Sequence, residues 1–96
     1  MIINLNKFGS TLISRPAGKE ASLAFNPTLQ DVKAGEKIEV DFTGVEVLTP
    51  SWIDEFLTPL FNTYGDRVSL KNIENASVIE SLKILNFIPL HETPRA

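Results

Sequence analysis

The spacing of apolar and polar residues changes several times along the chain, and each change marks an element. Ile2, Ile3 and Leu5 interleave with Asn4 and Asn6, which predicts a short first strand. Lys7–Ser10 reads as a turn, because Gly9 takes a positive φ without steric cost. Thr11, Leu12 and Ile13, two of them β-branched, are expected to return beside the first strand as a hairpin. Ser14 is a helix N-cap, and Pro16 falls in the first turn, where a missing N–H costs least. Ala17, Ala21, Ala24 and Phe25 then follow at helical spacing, with Gly18 weakening the helix. Pro27 ends or kinks it near Phe25–Asn26, and Leu29 and Val32 belong either to residual helix or to a packed loop.

The clearest strand is Lys37–Phe42, with Ile38, Val40 and Phe42 on one face and Glu39 and Asp41 on the other. Gly44 breaks it, and Val45, Val47 and Leu48 cover the approach to the next element. Thr49–Pro50 starts a helix: a capping hydroxyl, then proline at the first helical position. Trp52, Phe56, Leu60 and Tyr64 recur every fourth residue beside a second row of Ile53, Leu57 and Phe61, which makes a broad apolar face. Asp54 and Glu55 fall in the first turns, where negative charge suits the helix dipole. Pro59 removes the bond to the Glu55 carbonyl and predicts a kink. After a Gly65–Asp66 turn, Val68 and Leu70 form a short strand. Asn75 caps a last helix with Val78, Ile79, Leu82 and Leu85 as its buried stripe, and Asn86 stops it. Strands alternating with helices imply an α/β domain: a mixed four- to five-stranded sheet with about three helices packed on it. The domain is expected over residues 1–88, with 89–96 as a tail in which Leu90 packs back and His91 onward frays.

Composition narrows the function classes. The chain has 96 residues, 43% apolar and 22% charged, which fits one globular core. Nine basic against twelve acidic residues leave a net charge of −3 with no basic run, so nucleic acid is not an expected partner. No apolar run approaches the ~18 residues of a membrane span. Cysteine is absent, which removes disulfides, thiolate–zinc sites and cysteine nucleophiles. Met1–Ile2–Ile3 is followed at once by Asn4 and Lys7, unlike a secretion signal, and a cytoplasmic location is expected.

Few residues offer chemistry. The single histidine, His91, lies in the tail, where a solvated role outweighs a catalytic one. Asp54 and Glu55 are neighbours on a helix, expected to splay about 100° apart and so not to share one substrate. Asp41 with Asp54 could in principle offer oxygens to Mg²⁺, but the expectation is that no metal or other cofactor is held. The five glycines show no phosphate-loop spacing. Arg15 could pair with Asp54 or Glu55, or hold a phosphate. Trp52 is either core beside Phe56 or a partner anchor near an exposed helix start. No nucleophile–base pair stands out, and no enzymatic activity is expected.

Four short segments in order then suggest a family: Ser14-Arg15, Asp41-Phe42-Thr43-Gly44-Val45, Ser51-Trp52-Ile53-Asp54-Glu55 and Asn72. Together, across about Leu5 to Asn86, they resemble the STAS-like domain family of unknown function, which is similar to the STAS domains of bacterial anti-sigma-factor antagonists. The resemblance implies a small regulatory module that binds a GHKL-type ATPase or kinase and is switched by phosphorylation at the position of Ser51. Thr49, Pro50, Trp52 and Asp54 depart from the antagonist segment Asp-Ser-Ser-Gly-Leu-Gly. The residues expected to meet a partner or ligand are Ser14, Arg15, Asp41, Thr49, Ser51, Trp52, Asp54, Glu55 and Asn72. The alternative is a sensor that binds a nucleotide or other anion at the helix start near Thr49, with Arg15 adding charge.

Overall fold

The computed structural model describes residues 1–88. The expectations for a tail at 89–96, including Leu90 and His91, lie outside the described residues. The chain runs β1 (Ile2–Asn4), a 3₁₀ turn (Leu5–Phe8), β2 (Thr11–Leu12), α1 (Arg15–Leu29), β3 (Ile38–Asp41) and β4 (Val47–Leu48). It continues through α2 (Pro50–Tyr64), a second 3₁₀ turn (Gly65–Arg67), β5 (Val68–Lys71) and α3 (Ala76–Ile84). This is the expected α/β alternation with three helices.

The sheet differs from the single mixed one expected. It is two small sheets, one of three strands in the order β1-β3-β5 and one of two strands, β2-β4. Every pairing is parallel. The β1–β2 hairpin does not form. Leu5–Phe8 winds into a 3₁₀ turn that buries Leu5, and the chain then resumes alongside a different strand. The segments 1–12 and 38–48 therefore run side by side in one direction. They pair first as β1 with β3 and again as β2 with β4. The second contact is tied by the Ser10 carbonyl, which accepts from the Glu46 and Val47 N–H groups at 2.8 and 3.0 Å, and by the Leu12 carbonyl, which accepts from the Thr49 N–H at 3.0 Å. Parallel strands need a long crossover between them, and α1 supplies it.

Register sets the core. Ile3, Val40 and Leu70 align across the three strands on one face; Ile2, Glu39 and Ser69 align on the other. On the first face Ile3 and Val40 are buried with Ile38 and Val68, and Leu70 is partly buried; Ile2 on the second is exposed. Trp52, Ile53, Phe56, Leu57 and Leu60 of α2 fill the layer between sheet and helices, as their spacing predicted.

Neither proline ends its helix. α1 continues through Pro27 to Leu29, and α2 through Pro59 to Tyr64. Pro27 removes the bond to the Leu23 carbonyl, but Leu23 lies on the exposed side, where water can take that oxygen. Leu29 is thus helical, while Val32 packs from the loop that follows. In α3, Val78 and Leu82 are buried as expected. Ser81 is buried too and donates to the Leu48 carbonyl at 2.7 Å, a polar tie between α3 and β4 that apolar spacing alone could not show. Asn86 has φ +61° and stops the helix in the left-handed conformation that Asn tolerates.

Candidate functional site

The β2–β4 pairing places the starts of α1 and α2 next to each other. Leu12 is opposite Leu48, and the caps follow at Ser14 and Thr49. The Ser14 hydroxyl accepts from the Ala17 N–H at 3.2 Å, and the Thr49 hydroxyl accepts from the Trp52 N–H at 3.3 Å. Thr49 also donates to the Ile13 carbonyl, which links one cap to the chain entering the other helix. One turn further, Gly18 of α1 lies against the backbone of Trp52. The residue that weakens α1 as an isolated helix is the one that lets the two helices meet.

Arg15 opens α1 with a positive charge at the positive end of a helix dipole, in itself an unfavourable place. Its partners come from α2. Arg15 Nη1 lies 3.0 Å from Asp54 Oδ2 and 3.0 Å from Glu55 Oε1. The expectation that these adjacent carboxylates diverge too far to share a target is therefore wrong for this one. The long arginine side chain places one nitrogen between them, and each carboxylate swings toward it. Nor do the two acids serve their own helix start: the first turn of α2 carries no acidic residue, and the Thr49 side chain caps it. Asp54 Oδ1 accepts from the Thr58 hydroxyl at 2.6 Å, one turn along the helix. Thr58 first, and Arg15 second, hold the Asp54 carboxyl below its usual range; the same two carboxylates raise the Arg15 guanidinium above its own. One cation against two anions leaves the cluster with a net negative charge.

Ser51 is half-buried at the second position of α2, three and four residues before Asp54 and Glu55 and so on their side of the helix. Trp52 faces the other way. It is 2% exposed, stacked on Phe56 with ring centres 5.6 Å apart and tilted against Phe8 at 6.0 Å. The core alternative holds, and the indole is not displayed for a partner. Its place in the apolar row of α2, pressed against α1 and the sheet, decides this.

Asp41 and Asn72 form a separate cluster at the carboxyl ends of β3 and β5. Asp41 Oδ1 accepts from the Thr43 N–H at 2.9 Å, the Thr43 hydroxyl at 2.7 Å and Asn72 Nδ2 at 2.9 Å. These donors, Asn72 foremost, lower the Asp41 carboxyl below its usual range. Asn72 is left-handed at φ +59°, which turns its amide back over the strand end. Among the described residues no hydrogen bond joins this cluster to Arg15, Asp54 and Glu55, and no group of three or more His, Asp or Glu could hold a metal ion. The sequence reading missed Thr43 and Thr58. Both had a local signal: Thr43 is two residues past an aspartate, the spacing of an Asx turn, and Thr58 is four past Asp54 on a helix.

Two small parallel sheets with three helices, the first two clamped together at their starts, make a small α/β domain of the STAS-like kind. The chain belongs to the family described as a STAS-like domain of unknown function, whose sequence pattern matches residues 25–86, more than half of its length. The match takes in Asp41–Val45, Ser51–Glu55 and Asn72, and begins after Ser14-Arg15. No curated protein and no solved structure matches the chain. No helix among the described residues is long and apolar enough to cross a membrane.

Proposed function

We propose that this domain is a non-enzymatic regulatory module of the cytoplasm that binds a GHKL-type ATPase or kinase through the surface around the start of α2, and that phosphorylation of Ser51 switches the binding. The observation that carries this reading is the position of Ser51 beside the Arg15–Asp54–Glu55 cluster. Helical spacing puts a Ser51 phosphate next to two carboxylates and one guanidinium. The phosphate would repel Asp54 and Glu55 and compete for Arg15. A single modification would thus rearrange the charges that hold the two helix starts together, which a docked partner would sense.

The same cluster supports a non-enzymatic role. The carboxylates one helical turn from Ser51 that could serve as its base are already occupied, Asp54 by Thr58 and Arg15, Glu55 by Arg15. A lowered carboxyl is also a weak base. The alternative of an anion or nucleotide sensor at this helix start is less well supported, since Arg15 is claimed by two acids and the cluster is net negative.

The test is intact-mass spectrometry and co-elution with the candidate partner, with and without ATP, on the wild type and Ser51→Ala. The expected result is one added phosphate that Ser51→Ala lacks, with release of the complex only in the wild type. Co-elution with no added mass would overturn the switch and leave a constitutive binding module. No co-elution with any GHKL-type ATPase tested, together with no added mass, would overturn the partner class as well.

A further inference from the structure

We infer that the cleft between the distal halves of α1 and α2 is a binding site for a small uncharged molecule with an apolar body. The two helices touch at Gly18 and Trp52 and separate beyond that contact, leaving a cleft of 290 Å³. That is at the lower end of the ~300–1,000 Å³ range of small-molecule sites. Its floor is the buried trio Phe25, Phe56 and Leu60, and Ser22, Asn26 and Thr63 stand on its rim.

Shape excludes a long occupant. The Gly18–Trp52 contact lies one turn before Ser22 and Phe56 and closes one end. At the other end Tyr64 reaches from α2 to α1, its hydroxyl 3.5 Å from the Leu29 carbonyl. A strand or helix of a partner could not lie along a cleft stopped at both ends, whereas a single ring could sit in it. Charge narrows the class further, since among the described residues no charged side chain lines the cleft. An ion entering it would lose its hydration with nothing to replace it. This site is separate from the partner surface at the start of α2 and does not depend on it.

The test uses indole as the probe, with indole-3-carboxylate as its charged counterpart, followed by amide shifts in two-dimensional NMR. The expected result is saturable shifts confined to residues 22–30 and 56–64. The dissociation constant should be at or below about 1 mM, which a fragment of this size reaches in a fitting cavity. The carboxylate should bind at least about tenfold more weakly. Asn26→Trp and Thr63→Trp place a ring over the cleft from opposite walls, both at exposed positions that the fold tolerates, and each should abolish the indole shifts. The absence of saturable shifts, shifts centred elsewhere on the domain, or equal binding of the carboxylate would each overturn the inference.

Discussion

Gly18 sits so close to Trp52 that a Cβ at its position would collide with the Trp52 carbonyl oxygen. The obstacle is backbone, which cannot rotate away. Gly18→Ala is therefore expected to destabilise the domain by about 1–3 kcal/mol, despite the ~1 kcal/mol that alanine gains in helix propensity. A shift of about 4–8 °C in Tm per kcal/mol is readily resolved for a domain of this size. An unchanged or raised melting temperature would mean that the helices do not meet at this glycine.

Trp52→Ala removes a large buried ring stacked on Phe56, and a loss of about 3–5 kcal/mol is expected. Trp52→Phe should keep much of that stability and leave any partner affinity unchanged, because the indole is not at the surface. Urea denaturation alongside a binding assay checks both. If Trp52→Phe remained folded yet lost binding, the ring would have to be exposed during recognition.

Acid should weaken the fold through Asp54 and Asp41. Each carboxyl is lowered in the folded state, so the stability it adds is present above the unfolded carboxylate pKa, ~3.9, and is lost as pH falls through the folded value. Urea midpoints measured from about pH 6 down to about pH 2 should fall below about pH 4, and Asp54→Asn and Asp41→Asn should each flatten that decline. NMR titration should show Thr58→Val and Arg15→Ala each raising the Asp54 pKa, since both side chains hold the carboxylate in its charged form. An Asp54 pKa unmoved by either change would mean that the corresponding hydrogen bond does not form in solution.

Asn72 combines a left-handed backbone with a side-chain bond to Asp41. Asn72→Gly loses only the bond, while Asn72→Ala loses the bond and strains the backbone. The alanine variant should be less stable than the glycine variant by about 1 kcal/mol. Equal stabilities in urea would show that the backbone at this position relaxes out of the left-handed region.

The helices, their caps and the apolar row of α2 were legible in the sequence because they depend on neighbours within a turn or two. Ser14, Thr49 and Asn75 cap where local pattern placed them, and the periodicity of Trp52, Phe56 and Leu60 implies burial whatever lies opposite. Strand partnership was not legible in this way. Thr11–Leu12 carries no mark that distinguishes a return beside β1 from a parallel alliance with β4, some 36 residues away. Only the fold could choose, because that choice depends on where α1 crosses and which face Leu5 and Leu12 bury. The candidate site divides along the same line. A pairing of Arg15 with Asp54 or Glu55 was legible as one option beside a phosphate, but not that both acids would take it at once. Their convergence on one guanidinium nitrogen is a consequence of β2 lying beside β4, which brings the two helix starts together across 39 residues of chain.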